Sequence, residues 1–478
     1  MAKPKIQVYD TLARALVPFK PKKRGEVSIY ICGLTPYDHS HLGHARTYVA
    51  FDIIKRFLIT QGYRLFTVQN VTDIDDKIIS RAKQAGAIPL ELASYFDILS
   101  RDDLTTLNCL PADVYPKVSG HIKEIDALIQ SLLDKGYAYQ TSTGIYYDTS
   151  KDAEYGKLSK QNKDDLTKSR LEPDETKRSQ ADFALWKFTV DEYYTFDSSF
   201  GKGRPGWHIE CSAMAMKYLK TPIDIHAGAL DLVFPHHENE IAQSEPLCGA
   251  FVKYWFHTGF LTVNGEKMAK SLGNFITIRD ALKKFEPNVL RLFFSQTHYR
   301  SPLDYSEAAI DSNKAAYERI CTAYTRILEA FSQLKPAAKP TGSFQRKIKA
   351  LEKQFVSFMS NDFDAPNALT VLFTLITEAN KHLDSNETEG LAEALYLFRK
   401  LLFVFGLSIP SASGAKTQGG GADAERFNSS IDLLMELRDK ARAAKDYATS
   451  DQIRAKLGEL GIEVQDTEGK SIWHPKQG

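Results

Sequence analysis

The chain has 478 residues, 43% of them hydrophobic and 25% charged, with a formal net charge of +1 at pH 7. That is globular composition with length for roughly two to four domains, and its near-neutral charge excludes nucleic-acid binding through an overall positive field, leaving local basic patches and shape. No apolar run approaches the ~20 residues of a membrane span and the opening MAKPKIQVYD has no apolar leader core, so a soluble, cytoplasmic protein with no membrane partner is expected.

In chain order, the basic run KPKKR (20–24) reads as a solvated loop, and VSIYI (27–31) reads as a strand. A Gly/Pro/Asp loop and a helical pattern up to Gly62 follow, and then LFTVQN as a second strand. Strand, loop, helix, strand is a βαβ unit, which predicts a parallel sheet that binds ligands at the carboxyl ends of its strands. A polar, charged stretch then reads as an excursion from the sheet, before a second α/β run in which a strand near 223–226 leads through a glycine loop to a helix containing Glu240. Beyond about residue 305, Tyr317, Cys321, Tyr324, Leu328 and Phe331 alternate spacings of four and three, and similar stripes follow, as in a helical bundle. PSASGAKTQGGGADAE reads as a linker to a last small unit.

Five cysteines, Cys32, Cys109, Cys211, Cys248 and Cys321, form no CxxC pair, which argues against a disulfide framework and leaves reduced thiols or a metal. His41-Leu42-Gly43-His44 stands where the first helix begins, a place suited to anions: histidines there can donate to phosphate oxygens and a glycine admits a flat ring. Alone, two such histidines equally read as a cap meeting solvent. Downstream, GEKMAKSLGN (265–274) carries Lys267 and Lys270 in a glycine-bounded loop able to swing onto a triphosphate. Alone it equally reads as a solvated lysine loop.

Together, HxGH after an early strand and KMxKS after a late one resemble the signature of class I aminoacyl-tRNA synthetases. YICGLTPYDHSHLGHAR, NVTDIDDKII, DFALWK, GWHIECSAM, DIHAGALDLVFPHHENEIAQSE, KMAKSLGN and the closing GIEVQDT resemble, in order, the cysteinyl-tRNA synthetases, bacterial type, over nearly the whole chain. The resemblance implies an α/β fold with a Rossmann-like parallel-sheet catalytic domain in two halves (1–115 and 205–250) around an inserted connective subdomain (116–204). It further implies a stem-contact region with the lysine loop (251–306), a helical bundle (307–408), a linker (409–423) and a small anticodon-binding unit (424–478).

By the same resemblance, Cys32, Cys211, His236 and Glu240 are zinc ligands, one zinc per chain. Spacing supports only that His236 and Glu240 share a helix face; without the family, Cys211 reads as a packed thiol. Zinc in an amino-acid pocket would distinguish the soft thiolate of cysteine from the hydroxyl of serine, which a pocket relying on shape separates by only ~10²-fold. HHENE lacks the HExxH order of a hydrolytic zinc site. Gly33, Thr72 and Trp207 are implied to border the cysteine, although a tryptophan is as readily core. Gly43, Gly228 and Asp231 are implied to contact the nucleotide, with Ala227 and Ala229 departing from the usual glycines. Leu42 and Ala269 also depart from the signatures, but remove no charge or phosphate donor.

The implied activity is ATP- and Mg²⁺-dependent activation of cysteine followed by transfer to tRNA(Cys), with His41, His44, Lys267 and Lys270 catalytic and the enzyme monomeric. In the last unit, Arg442, Tyr447 and Asp451 pair a planar aromatic with a cation and a carboxylate, as unstacked anticodon bases require; a solvated amphipathic helix is the alternative. Trp473 reads as packing. Two rival functions remain at this level: a cysteine ligase acting on a small amine, and a silent tRNA- or zinc-binding protein.

Overall fold

Residues 4–161, 175–190, 194–268, 273–333, 342–385 and 389–410, with parts of 435–475, are described by a computed structural model. A hairpin of β1 (Gln7–Asp10) and β2 (Ala15–Pro18) precedes β3 (Glu26–Ile31), whose alternating and then continuous burial marks a strand entering a covered sheet. His41 caps α1 (Leu42–Thr60), which is buried on nearly every face because it packs on the sheet and also against later helices. Gly62, at φ +74, turns the chain into β4 (Arg64–Gln69), parallel to β3 in the expected βαβ unit.

Helices α2 (Asp76–Ala85), α3 (Pro89–Thr106) and α4 (Ile122–Asp134) follow. The excursion between the halves contains a four-stranded antiparallel sheet, β5 (Ala138–Gln140), β6 (Gly144–Tyr147), β7 (Phe183–Phe188) and β8 (Gly203–Pro205) in that order. The chain returns through α5 (Trp207–Tyr218), β9 (Ile223–Ala229), α6 (Glu238–Cys248) and β10 (Val252–Thr258). The central sheet has the order β10-β9-β3-β4 and is wholly parallel, so Cys32, Asn70, Ala229 and Thr258 gather at its carboxyl edge. Strand β9 runs three residues further than the sequence suggested.

β11 (Leu261–Val263) pairs antiparallel with β12 (Glu266–Lys267) and parallel with β13 (Leu303–Tyr305), flanking α7 (Ile278–Lys284) and α8 (Pro287–Ser295). The bundle is α9 (Glu307–Ser332), α10 (Ser343–Ser360), α11 (Ala365–Asp384) and α12 (Leu391–Phe405). Its inward stripe on α9 differs from the one expected: Ile310, Asn313, Tyr317, Ile320, Ala323 and Ile327 are buried, whereas Leu328 and Phe331 are 36% and 38% exposed. Packing against α8, α11 and α12 selects that face, and Asn313 joins it because its amide donates to Ala309 O and exchanges hydrogen bonds with Gln296. Residues 411–478 form a separate unit that includes the hairpin β14 (Ile462–Thr467) and β15 (Lys470–Pro475), whose antiparallel register pairs Val464 with Trp473. The linker expected at 409–423 lies outside the described residues from 411 onward.

Bundle and sheet are joined by a buried ionic network. The Asp52 carboxylate on α1 accepts from Arg56 at 2.7 Å and from Arg291 of α8 at 2.6 Å, and Arg291 also donates to Phe405 O and Leu107 O at 2.7 and 2.8 Å. Burial alone would raise the Asp52 carboxyl; the charges of Arg291 and Arg56 more than offset it and hold the group below its ordinary 3.8. Its contribution to stability is therefore present above pH 3.8 and lost as pH falls through the lowered value. Asp52→Asn, which strands two buried guanidiniums, is expected to cost about 3–5 kcal/mol at neutral pH. Urea unfolding checks this, and the gap to wild type should close only in acid.

Candidate functional site

At the tip of β3 the chain makes a close passage. Gly33 N–H donates to Asn70 Oδ1 at 2.8 Å, and a Cβ on Gly33 would lie 1.6 Å from Asn70 O, so only glycine fits. Asn70 in turn donates to the buried Thr72 hydroxyl at 3.1 Å, which places Gly33 and Thr72 on one rigid wall.

Beside that wall, Cys32, Cys211, His236 and Glu240 bring their donor atoms within 4.8 Å of one another, and all four are buried. Cys32 comes from the end of β3, Cys211 from α5, and His236 and Glu240 from the start of α6 and the turn before it. His236 Nε2 lies 3.4 Å from Cys211 Sγ and 3.2 Å from Glu240 Oε1. Burial pushes the Cys32 thiol well up, while a hydrogen bond from Cys32 brings the Cys211 thiol down to about 6. Glu240, against the effect of burial, is held at about 2 by His226 and His236, and His236, also against burial, is raised to about 10 by Cys211 and Glu240. Two soft sulfurs, an imidazole and a carboxylate competing for protons in a dry site form a donor set suited to zinc.

Sequence reasoning missed the shell around these four. His226 Nε2 lies 2.9 Å from Glu240, His237 Nε2 3.2 Å from Cys32, and His208 Nδ1 3.0 Å from His236 Nδ1. Burial holds His237 and His208 well below the ordinary imidazole value, and takes His257, whose Nε2 is 2.8 Å from His237, to about 3. The paired histidines of PHHENE were the available signal: His236 meets one thiol and His237 the other. The Trp207 ring lies 4.4 Å from the His236 ring and is 40% exposed, so it walls the site and is not core.

His41 and His44 stack at 3.5 Å, and each Nδ1 accepts the other residue's backbone N–H at 3.3 Å. They do cap α1, and that cap places the ring proton on Nε2 of each, as donor. A Cβ on Gly43 would be 2.9 Å from the His41 ring and 3.4 Å from Met268 of the lysine loop. Beyond the loop, Phe275 packs on His41 at 5.2 Å, and Leu42 N–H and Ile278 N–H bind Ile276 O and Ser40 O at 3.0 and 2.8 Å. Both flanks of the loop thus meet the histidine signature. Lys267 closes β12, and Lys270 lies outside the described residues.

Gly228 is buried near the end of β9, where a Cβ would lie 2.9 Å from both the His237 ring and Leu232; Asp231 is exposed just beyond. Ala227 is buried on β9 and Ala229 partly so, and glycine is required by a close approach at Gly228. In the last unit Arg442, Tyr447 and Asp451 are helical and exposed, far outside this site in sequence.

A parallel sheet with the two signatures meeting at its carboxyl edge defines a class I aminoacyl-tRNA synthetase. Solved structures with the same fold include Mycobacterium tuberculosis methionyl-tRNA synthetase with methionyl-adenylate, at TM-score 0.60 and 15% identity, covering 79% of this chain and 88% of that one. Another is Agrobacterium radiobacter K84 LeuRS in a tRNA ternary complex, at TM-score 0.62 and 10% identity, covering 81% and 85%. Family models for the class I (C) tRNA synthetase catalytic domain, the DALR domain and the cysteinyl-tRNA ligase anticodon binding domain match residues 18–315, 354–409 and 425–473.

The chain belongs to the cysteine–tRNA ligase family. Relatives so named include those of Thermococcus gammatolerans, 45% identical over 98% of both chains, and Pyrococcus furiosus, 47% identical over 98% of this chain and 99% of the other. These relatives are archaeal, and they lend no support to the bacterial type suggested by the motifs. Among the described residues no helix is long and apolar enough to cross a membrane.

Proposed function

We propose that the chain activates cysteine with ATP and Mg²⁺ and transfers it to the 3′-terminal ribose of tRNA(Cys), with zinc held by Cys32, Cys211, His236 and Glu240. The convergence of those four donors within 4.8 Å, with the Trp207 ring 4.4 Å from that of His236, carries this reading. When bound, the metal supplies a soft Lewis acid that prefers a substrate thiolate to a hydroxyl. His226, His237 and His208 orient the donor side chains, as hydrogen-bonded partners around metal ligands do. Gly33 and Trp207 border the cysteine, and its carboxylate is left to attack the α-phosphate of ATP.

The activation step needs positioning and charge stabilisation more than a protein nucleophile. His41 and His44 donate Nε2–H to phosphate oxygens; Lys270 with Lys267 stabilises the departing pyrophosphate. Gly43, Gly228 and Asp231 border the nucleoside. The ribose hydroxyl of the tRNA then attacks the carbonyl carbon, and AMP leaves with the electrons of the broken anhydride bond. Arg442, Tyr447 and Asp451 read the anticodon, and the working form is a cytoplasmic monomer. The match of residues 425–473 to an anticodon binding domain favours this over a small-amine ligase.

Cysteine-dependent pyrophosphate exchange tests the first half, and its absence in zinc-replete, reduced protein would remove the reading. Trp207→Ala is expected to raise KM for cysteine roughly tenfold, about 1.4 kcal/mol, with kcat little changed. Steady-state exchange kinetics check that split.

A further inference from the structure

The donor cluster is larger than one tetrahedral ion requires. Cys32, His226, His237 and Glu240 also bring one donor atom each within 4.8 Å of one another, all four buried, and this second set shares only Cys32 and Glu240 with the first. The Glu240 carboxylate divides between the two sets: Oε1 lies 3.2 Å from His236 Nε2, and Oε2 lies 2.9 Å from His226 Nε2. The thiols divide in the same sense, with Cys211 Sγ 3.4 Å from His236 Nε2 and Cys32 Sγ 3.2 Å from His237 Nε2. Cys211 and His236 therefore stand on one side of the shared pair, and His226 and His237 on the other. The shared pair is chemically the right one: a carboxylate offers an oxygen to each of two ions and a thiolate keeps further lone pairs after binding one, whereas an imidazole nitrogen has a single lone pair.

The second set also has support of its own. His237 Nδ1 lies 2.8 Å from His257 Nε2, and His257 Nδ1 lies 2.8 Å from Thr11 Oγ1, a relay that leaves His237 Nε2, the atom beside Cys32, as the ligating nitrogen. A Cβ at Gly228 would lie 3.2 Å from that nitrogen, so glycine keeps room beside it. His226 is the weaker donor, because ligation through Nε2 puts the ring proton on Nδ1, a buried atom without a hydrogen-bond partner. We propose that the cluster has a second, weaker position for zinc, formed by Cys32, His226, His237 and Glu240, bridged to the first through the Cys32 thiolate and the Glu240 carboxylate, and filled only in excess metal. Filling it turns two histidines that orient Cys32 and Glu240 into ligands, so the state of the site follows zinc supply. The inference rests on the zinc ligands named under Proposed function.

The test is equilibrium dialysis of metal-free, reduced, full-length protein against rising free Zn²⁺, with bound metal counted by atomic emission. Wild type is expected to bind in two stages, the first ending at one ion per chain and the second, at free zinc about 10²-fold higher, at two; that ratio is the scale a missing outer partner costs. His237→Gln and His226→Gln should each lose the second stage and keep the first, weakened about tenfold, which also reports that the variants fold. Cys211→Ser lacks a ligand of the first position only, and should keep a single stage in the higher zinc range. A Co²⁺ titration gives the same stages in the thiolate charge-transfer band, which metal on surface histidines does not produce. A single stage in wild type, a second stage that survives both histidine substitutions, loss of both stages in either histidine variant, or no binding by Cys211→Ser in the higher range would each overturn the second position. Failure of wild type to bind any zinc would instead remove the underlying reading of the four ligands.

Discussion

Cys211→Ser is expected to abolish binding of the proposed zinc and with it the choice of amino acid. Cys211 lies within the 4.8 Å donor cluster, and its thiol, down to about 6, is readily available as thiolate, the form that ligates zinc. A serine hydroxyl in its place is a harder donor that stays protonated, so metal content measured by atomic emission should fall from one per chain to a small fraction. Discrimination should follow: the cysteine-over-serine ratio of kcat/KM is expected to drop from about 10⁴ or more to the ~10² that a shape-based pocket supplies. Parallel exchange assays with the two amino acids measure this. Full metal loss with an undiminished ratio would refute the role given to the metal.

Lys270→Ala is expected to lower the rate of cysteine activation about 10²–10³-fold, the scale on which one group stabilising transition-state charge acts. KM for cysteine should stay near its wild-type value, because the role proposed for the lysine is toward the leaving pyrophosphate and not the amino acid. The described flanks of the loop meet the histidine pair: Met268 reaches toward Gly43 and Phe275 packs on His41. Pyrophosphate exchange in the variant decides the matter, and an unchanged rate would refute the assignment.

How much of this was legible beforehand depends on the distance over which the determining contacts act. The first strand, helix and second strand are set by local pattern and by Gly62, and they formed within a few residues of expectation. The inward stripe of α9 is decided by partners distant in sequence; Leu328 and Phe331 carry the period yet stay largely exposed, while the polar Asn313 is buried because Gln296 meets it. Cys32 and Cys211 converge through sheet topology, which no spacing rule contains; the family resemblance supplied what periodicity lacked. The histidine shell escaped because His226, His208 and His257 each look like an isolated ring in sequence, and acquire a role only where β9, α5 and β10 converge on Glu240, His236 and His237. Trp207 illustrates the reverse case, a residue type that is usually core and is here exposed, its ring tilted against that of His236.

The central claim is tested most directly by ATP- and Mg²⁺-dependent attachment of labelled cysteine to a tRNA bearing the cysteine anticodon, using purified, zinc-replete, reduced protein. The account predicts that cysteine becomes esterified to the tRNA and serine does not. Cysteine-dependent pyrophosphate exchange without any charging of that tRNA, or equal charging with serine, would contradict it.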